Sequence, residues 1–139
     1  MRRINRALSL ILVIVIIVSV SSLSAFARAS EYINLTTATI SSPSKGKVTV
    51  DFSVIGTGYM NRIGVQKIEI YKSNDEKADT IYSTDAGYSH LMISNDYKHE
   101  GAASCSVPTG YRYYAIVYFY ASDSKGSDVI EHETNLVRA

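Results

Sequence analysis

The sequence predicts an all-β protein, an antiparallel sandwich of two sheets with about seven strands. Three observations predict it. Tyr111-Arg112-Tyr113-Tyr114-Ala115-Ile116-Val117-Tyr118-Phe119-Tyr120-Ala121 runs without Gly, Pro, Asn or Asp. Aromatic and β-branched side chains of this kind pack well on a pleated, half-buried surface. Residues 47–55 alternate strictly, with Val48, Val50, Phe52 and Val54 on one side and Thr49, Asp51 and Ser53 on the other. Polar turn signals recur roughly every eight to twelve residues, and no stretch has helical periodicity.

Taken in order, residues 32–40 begin as an alternating strand on Ile33 and Leu35. The phase slips at Thr36-Thr37 toward Ala38 and Ile40, as a bulge or a change of sheet would require. Residues 41–46 form a turn, 47–55 the cleanest strand, and Gly56-Thr57-Gly58 its end. Residues 65–72 follow with Ile68 and Ile70 inward and Lys67, Glu69 and Tyr71 outward. A charged loop over 73–79 leads to a short strand at 80–83. Residues 85–100 are the least regular: 90–93 is able to pair, whereas 94–100 reads as loop. Residues 103–107 set Ala103, Cys105 and Val107 on one face. Val107-Pro108-Thr109-Gly110 turns the chain into the tyrosine-rich strand, which is central to the sheet. Residues 122–126 make a hairpin loop before a last strand over 128–137.

The N-terminus has the pattern of a secretory signal peptide, with a helical apolar run. Arg2, Arg3 and Arg6 precede an apolar stretch over 7–20, and Ala25-Phe26-Ala27 supplies a small-residue cleavage site. Cleavage falls after Ala27, with Ala29 as a second position; the alternative is an uncleaved anchor, the only membrane contact expected. The domain is then residues 28–139, exported in soluble form. The three arginines leave with the segment while all 13 acidic residues stay, so a formal charge of +1 becomes −2. That balance gives no electrostatic support for binding nucleic acid. A chain of this length buries roughly 65% of its unfolded surface, enough for a core without staples. Its one cysteine allows no internal disulfide.

Alternation divides the central strand into two strips. Tyr113, Ala115, Val117, Phe119 and Ala121 suit the core. Tyr114, Ile116, Tyr118 and Tyr120 face outward, joined by Tyr71 from a neighbouring strand. Tyrosine has a flat apolar face and a polar tip, so Tyr71, Tyr114, Tyr118 and Tyr120 form the candidate binding surface for an extracellular protein or a cell-surface glycan. The competing reading is a ladder of cross-strand pairs covered by Lys and Glu stems. Self-association through this face or a sheet edge, giving a homodimer, is a further reading.

Cys105 reads as a small hydrophobe facing the core. Its rival role is a nucleophile with His90, His99 or His132 as base, which would make a small cysteine-dependent hydrolase. In Glu131-His132-Glu133 the histidine points opposite to both glutamates on a strand, so the three cannot close on one ion. Asp123-Ser124-Lys125-Gly126-Ser127-Asp128 reads as a plain hairpin turn rather than a calcium loop. No metal, cofactor or catalytic set is expected.

Val107-Pro108-Thr109-Gly110-Tyr111-Arg112-Tyr113 resembles the approach to the sixth strand of fibronectin type III modules. There an apolar residue and a proline precede a tyrosine whose hydroxyl locks the corner. Tyr113 has the matching spacing from Val107, with Tyr111 as the alternative. Ala121, Gly126 and Thr134 are similar to that module's strand, hairpin and end-strand positions, although two extra residues precede Ala121 and no core Trp exists. The layout, including Tyr32-Ile33-Asn34, also resembles small secreted proteins of Gram-positive bacteria with no assigned activity. These resemblances imply an immunoglobulin-like sandwich and a surface or extracellular role, and nothing about chemistry; the expectation of a binding or adhesion task without catalysis rests on the tyrosine face.

Overall fold

The computed structural model describes residues 29–139, so the expected signal segment 1–27 lies outside the described residues. The described chain is all-β and antiparallel, with seven strands: β1 (Ile33–Ser44), β2 (Lys47–Lys72), β3 (Lys77–Tyr82), β4 (Met92–Ser106), β5 (Arg112–Ser122), β6 (Ser127–Glu133) and β7 (Val137–Arg138). A single 3-10 turn, Ser89–Leu91, precedes β4. All seven strands share one hydrogen-bonded sheet, curled as a half-barrel, where two separate sheets were expected.

The reason is β2, which runs for 26 residues without a break. Gly56-Thr57-Gly58 does not end the strand but loosens it: the β2–β4 register jumps from Ile55↔Lys98 to Met60↔Asp96. Four residues of β2 thus face Tyr97 alone, a wide irregularity that bends the strand while pairing resumes beyond it. β2 lies between β1 and β4 up to residue 55, between β4 and β5 at residues 62–64, and between β3 and β5 from residue 67, with β6 beyond β5. The bend turns both inner faces toward one core, where Phe52 of the first half meets Phe119 of β5 edge to face at 6.3 Å.

Two other expectations shift. Residues 94–100 belong to β4 and are not a loop, because the backbone pairs with β2 although the side chains lack alternation. In β1 the phase slip lies at Asn34-Leu35, one turn of the pleat earlier than Thr36-Thr37: the register breaks between Ile33 and Leu35, and Leu35 stands 53% exposed. Ala38 and Ile40 then return to the core.

Tyr113, Val117 and Phe119 are fully buried along with Ala115 and Ala121. Each large apolar side chain so buried contributes roughly 1.5–3 kcal/mol. The Tyr113 hydroxyl donates to the Pro108 carbonyl oxygen at 2.6 Å, tying the turn before β5 to the strand itself. The open edges β1 and β6 approach each other and are joined by side chains. Asp128 accepts from the Ser30 hydroxyl at 2.8 Å and the Glu31 N–H at 2.9 Å, and Thr36 meets His132 at 3.3 Å.

Candidate functional site

The outer face of β3, β2, β5 and β6 is a grid fixed by strand register. Lys77, Tyr71 and Tyr114 lie in one row. Thr80, Glu69, Ile116 and Glu133 form the next, and Tyr82, Lys67, Tyr118 and Glu131 the third. Tyr120 lies further on, opposite Gly64 and Val129. Tyr71, Tyr114, Tyr118 and Tyr120 are therefore brought to one face, and all four are half-buried.

Glu69 is the hub of that face, although it is only 7% exposed. Its Oε1 accepts from Lys77 at 2.8 Å and Lys67 at 3.1 Å. Its Oε2 accepts from Tyr118 at 2.9 Å and Tyr71 at 3.0 Å. Four donors use all the lone-pair directions of the carboxylate, which is how a charge is kept in a half-dry setting. The bond from Lys77 is the largest influence holding the Glu69 carboxyl down at about 2; burial opposes it, and Lys67, Tyr118 and Tyr71 add to the lowering. The same bond to Glu69 pushes the Tyr118 hydroxyl up to about 12, so it remains a donor.

The rings are also engaged. Tyr71 and Tyr114 stack at 5.4 Å with 16° between planes, and the Tyr114 hydroxyl donates to Asp75 at 2.7 Å. Lys67 lies 3.9 Å over the Tyr118 ring and Lys77 5.5 Å from the centre of Tyr71. Such cation–ring contacts contribute roughly 0.5–1 kcal/mol at exposed sites. Tyr71, Tyr114 and Tyr118 thus form a pre-ordered patch of tyrosine edges and lysine stems, with few bare ring faces.

Tyr120 differs. Its hydroxyl has no partner among the described residues, and it lines a shallow cleft of about 180 Å³ with Arg62, Gln66, Ser83, Thr84 and Met92. A bulge builds this cleft. Val65 pairs with Phe119 and Lys67 with Tyr118, which leaves Gln66 as the extra residue of β2. Gly64 allows the other wall: at φ +152° it lets the Leu91 carbonyl approach to where a Cβ would stand 2.1 Å away, and this seats Met92 beside it. The sequence carries a sign of the bulge, since the core residues Ile63 and Val65 are odd-numbered and Ile68 and Ile70 even-numbered. Reasoning from the sequence passed over Arg62 and Gln66, and treated Lys67 and Glu69 only as outward positions.

Cys105 is half-buried and packs against the core rather than within it. Burial first, and then the negative charge of the Asp79 carboxylate, push its thiol up to about 12. A thiol so raised is protonated at neutral pH and a poor nucleophile. The histidines are engaged elsewhere: His90 with the Ala102 carbonyl at 2.9 Å, His99 with the His90 carbonyl at 2.7 Å, and His132 with Thr36. Among the described residues no group of three His, Cys, Asp or Glu side chains converges to hold a metal ion. Asp123 Oδ1 accepts from the backbone of Lys125 at 2.6 Å and Gly126 at 3.2 Å, as in a tight turn.

No family model matches this chain, and no curated protein matches it. A crystal structure of an ApaA protein from Bordetella pertussis is similar to it at 12% identity and a TM-score of 0.49, covering 78% of this chain and 95% of that one.

Proposed function

We propose that this chain is a secreted, non-catalytic binding module that engages an extracellular protein or a cell-surface glycan through the tyrosine face. We read the curled sheet as an immunoglobulin-like sandwich of the fibronectin type III kind. On that reading β1, the first half of β2 and β4 are one layer, and β3, the second half of β2, β5 and β6 the other. The bond from Tyr113 to Pro108 is the corner lock and supports it.

One observation carries the functional reading: Glu69 fixes Tyr71 and Tyr118 from beneath, so the face is ordered before any partner arrives. Pre-ordered side chains lose less entropy on binding, and tyrosine combines large contact area with few rotatable bonds. The raised Cys105 thiol argues against the hydrolase reading.

The test is binding of the purified protein to an array of immobilised extracellular proteins and polysaccharides. The variant Tyr71→Ser/Tyr114→Ser should remain folded by circular dichroism and lose at least tenfold in affinity for whatever the wild type retains. Equal retention by a folded variant, or no binding anywhere on the array, contradicts the proposal.

A further inference from the structure

Five polar side chains gather around the cleft beside Tyr120. Arg62, Gln66, Ser83, Thr84 and Tyr120 all line it, and none of their side chains has a hydrogen-bond or ion-pair partner among the described residues. Lys67, Lys77, Tyr71 and Tyr118, in the neighbouring rows, all donate to Glu69 instead. Side chains free of protein partners around one depression can bond a ligand by displacing water alone, with no protein contact to break.

The chemistry of that ligand follows from the groups present. Arg62 offers an unpaired guanidinium, whose planar fork matches a carboxylate through two parallel hydrogen bonds. The Gln66 amide and the Ser83, Thr84 and Tyr120 hydroxyls both donate and accept, which suits a ligand rich in hydroxyls. Tyr120 and Met92 supply the apolar contact that a sugar ring's carbon face requires. At about 180 Å³ the cleft lies below the roughly 300–1,000 Å³ of pockets for drug-sized molecules, so it takes one ring at a time. Its open form leaves a polymer free to pass on either side.

The walls are also built rather than incidental. The bulge at Gln66 swings that side chain out of the regular pleat, and its backbone carbonyl accepts from the Ser83 N–H at 3.1 Å, holding the β3 turn in place. Bulges are over-represented where a strand must re-aim a side chain at a site.

We propose that this cleft is the acidic-sugar subsite of the binding surface, holding one carboxylate-bearing sugar unit of a polysaccharide, with Arg62 on the carboxylate and Tyr120 against the ring. The assignment rests on the reading of the chain as a binding module and names the ligand class at one end of that surface.

The experiment is calorimetric titration of the purified protein with galacturonic acid oligomers. Neutral galactose oligomers of equal length, heparin-derived sulfated oligomers and a short peptide with a free C-terminal carboxylate serve as comparisons. The expected result is binding of the galacturonic acid oligomers at least tenfold tighter than all three. Arg62→Met should abolish that preference, and Arg62→Lys should restore it only in part, because an ammonium lacks the fork. Tyr120→Ala should weaken the acidic and neutral sugars alike.

Equal binding of neutral and acidic oligomers, or preference for the sulfated oligomers or the peptide, overturns the carboxylated-sugar assignment. So does a preference that survives Arg62→Met. Any of these leaves the binding-module reading standing if Tyr71→Ser/Tyr114→Ser still loses its array partner, so the two failures are told apart.

Discussion

The side-chain amide of Asn135 pairs with both backbone groups of Ile40, accepting from its N–H at 3.1 Å and donating to its carbonyl at 3.1 Å. The amide thereby imitates a strand residue at an edge of β1 that no backbone covers. Thr134, its neighbour, does something similar toward β5, where its hydroxyl accepts from the Ala115 N–H at 2.9 Å. Side chains after β6 therefore close what backbone pairing leaves open.

Asn135→Ala should cost about 1–2 kcal/mol, since it removes two part-buried hydrogen bonds. The urea midpoint should fall without a change in slope, and the Ile40 amide should exchange faster with solvent. Unchanged exchange at Ile40 would mean that water replaces the side chain at no cost.

Glu69 makes stability depend on acid. The carboxyl titrates at about 2 in the folded chain and near 4.5 when unfolded, so between those values the unfolded chain binds more protons. The stabilisation is fully present above about pH 4.5 and is lost as pH falls toward 2. Its size is on the order of 3 kcal/mol. Glu69→Gln should flatten the stability curve across that window and lower stability at pH 7. An acid limb of equal steepness in the variant would assign the effect to other carboxylates.

Tyr113→Phe isolates the hydroxyl bonded to Pro108, because the ring and its burial are kept. A loss of about 1–2 kcal/mol is expected from thermal or urea unfolding. A neutral result would mean that the bond to Pro108 adds nothing to the stability of the turn.

The Cys105 thiol should react slowly with disulfide reagents in the native protein at pH 8 and at the rate of a free thiol in denaturant. Asp79→Asn removes the neighbouring negative charge, so native labelling should quicken several-fold while remaining slower than in the unfolded chain, since burial persists. Rapid wild-type labelling would contradict the raised thiol.

Much of this was readable from the chain. The inward strip of β5 followed from strict alternation, whereas a bond from Tyr113 back to the turn was suggested only by the resemblance, with Tyr111 as the alternative. Residues 94–100 were not readable as strand, because β4 is an edge whose outer side chains need no apolar partner; only backbone pairing with β2 reveals it. The unbroken course of β2 was hidden by Gly56 and Gly58, which resemble an ending. Glu69 was visible as an outward residue, but its role depends on Tyr118, 49 positions away, and on Lys77 from another strand. Local pattern contains no such information. The parity change from Val65 to Ile68 was legible and pointed to the Gln66 bulge, the one sign of the cleft in the sequence.

The 26 residues of β2 also govern how the molecule comes apart. Here a single rail carries β1 and β4 at one end and β3 and β5 at the other, so fraying cannot stop at the boundary between halves. Loss of either half strips pairing from a strand that the other half needs, so the domain is expected to unfold as one unit.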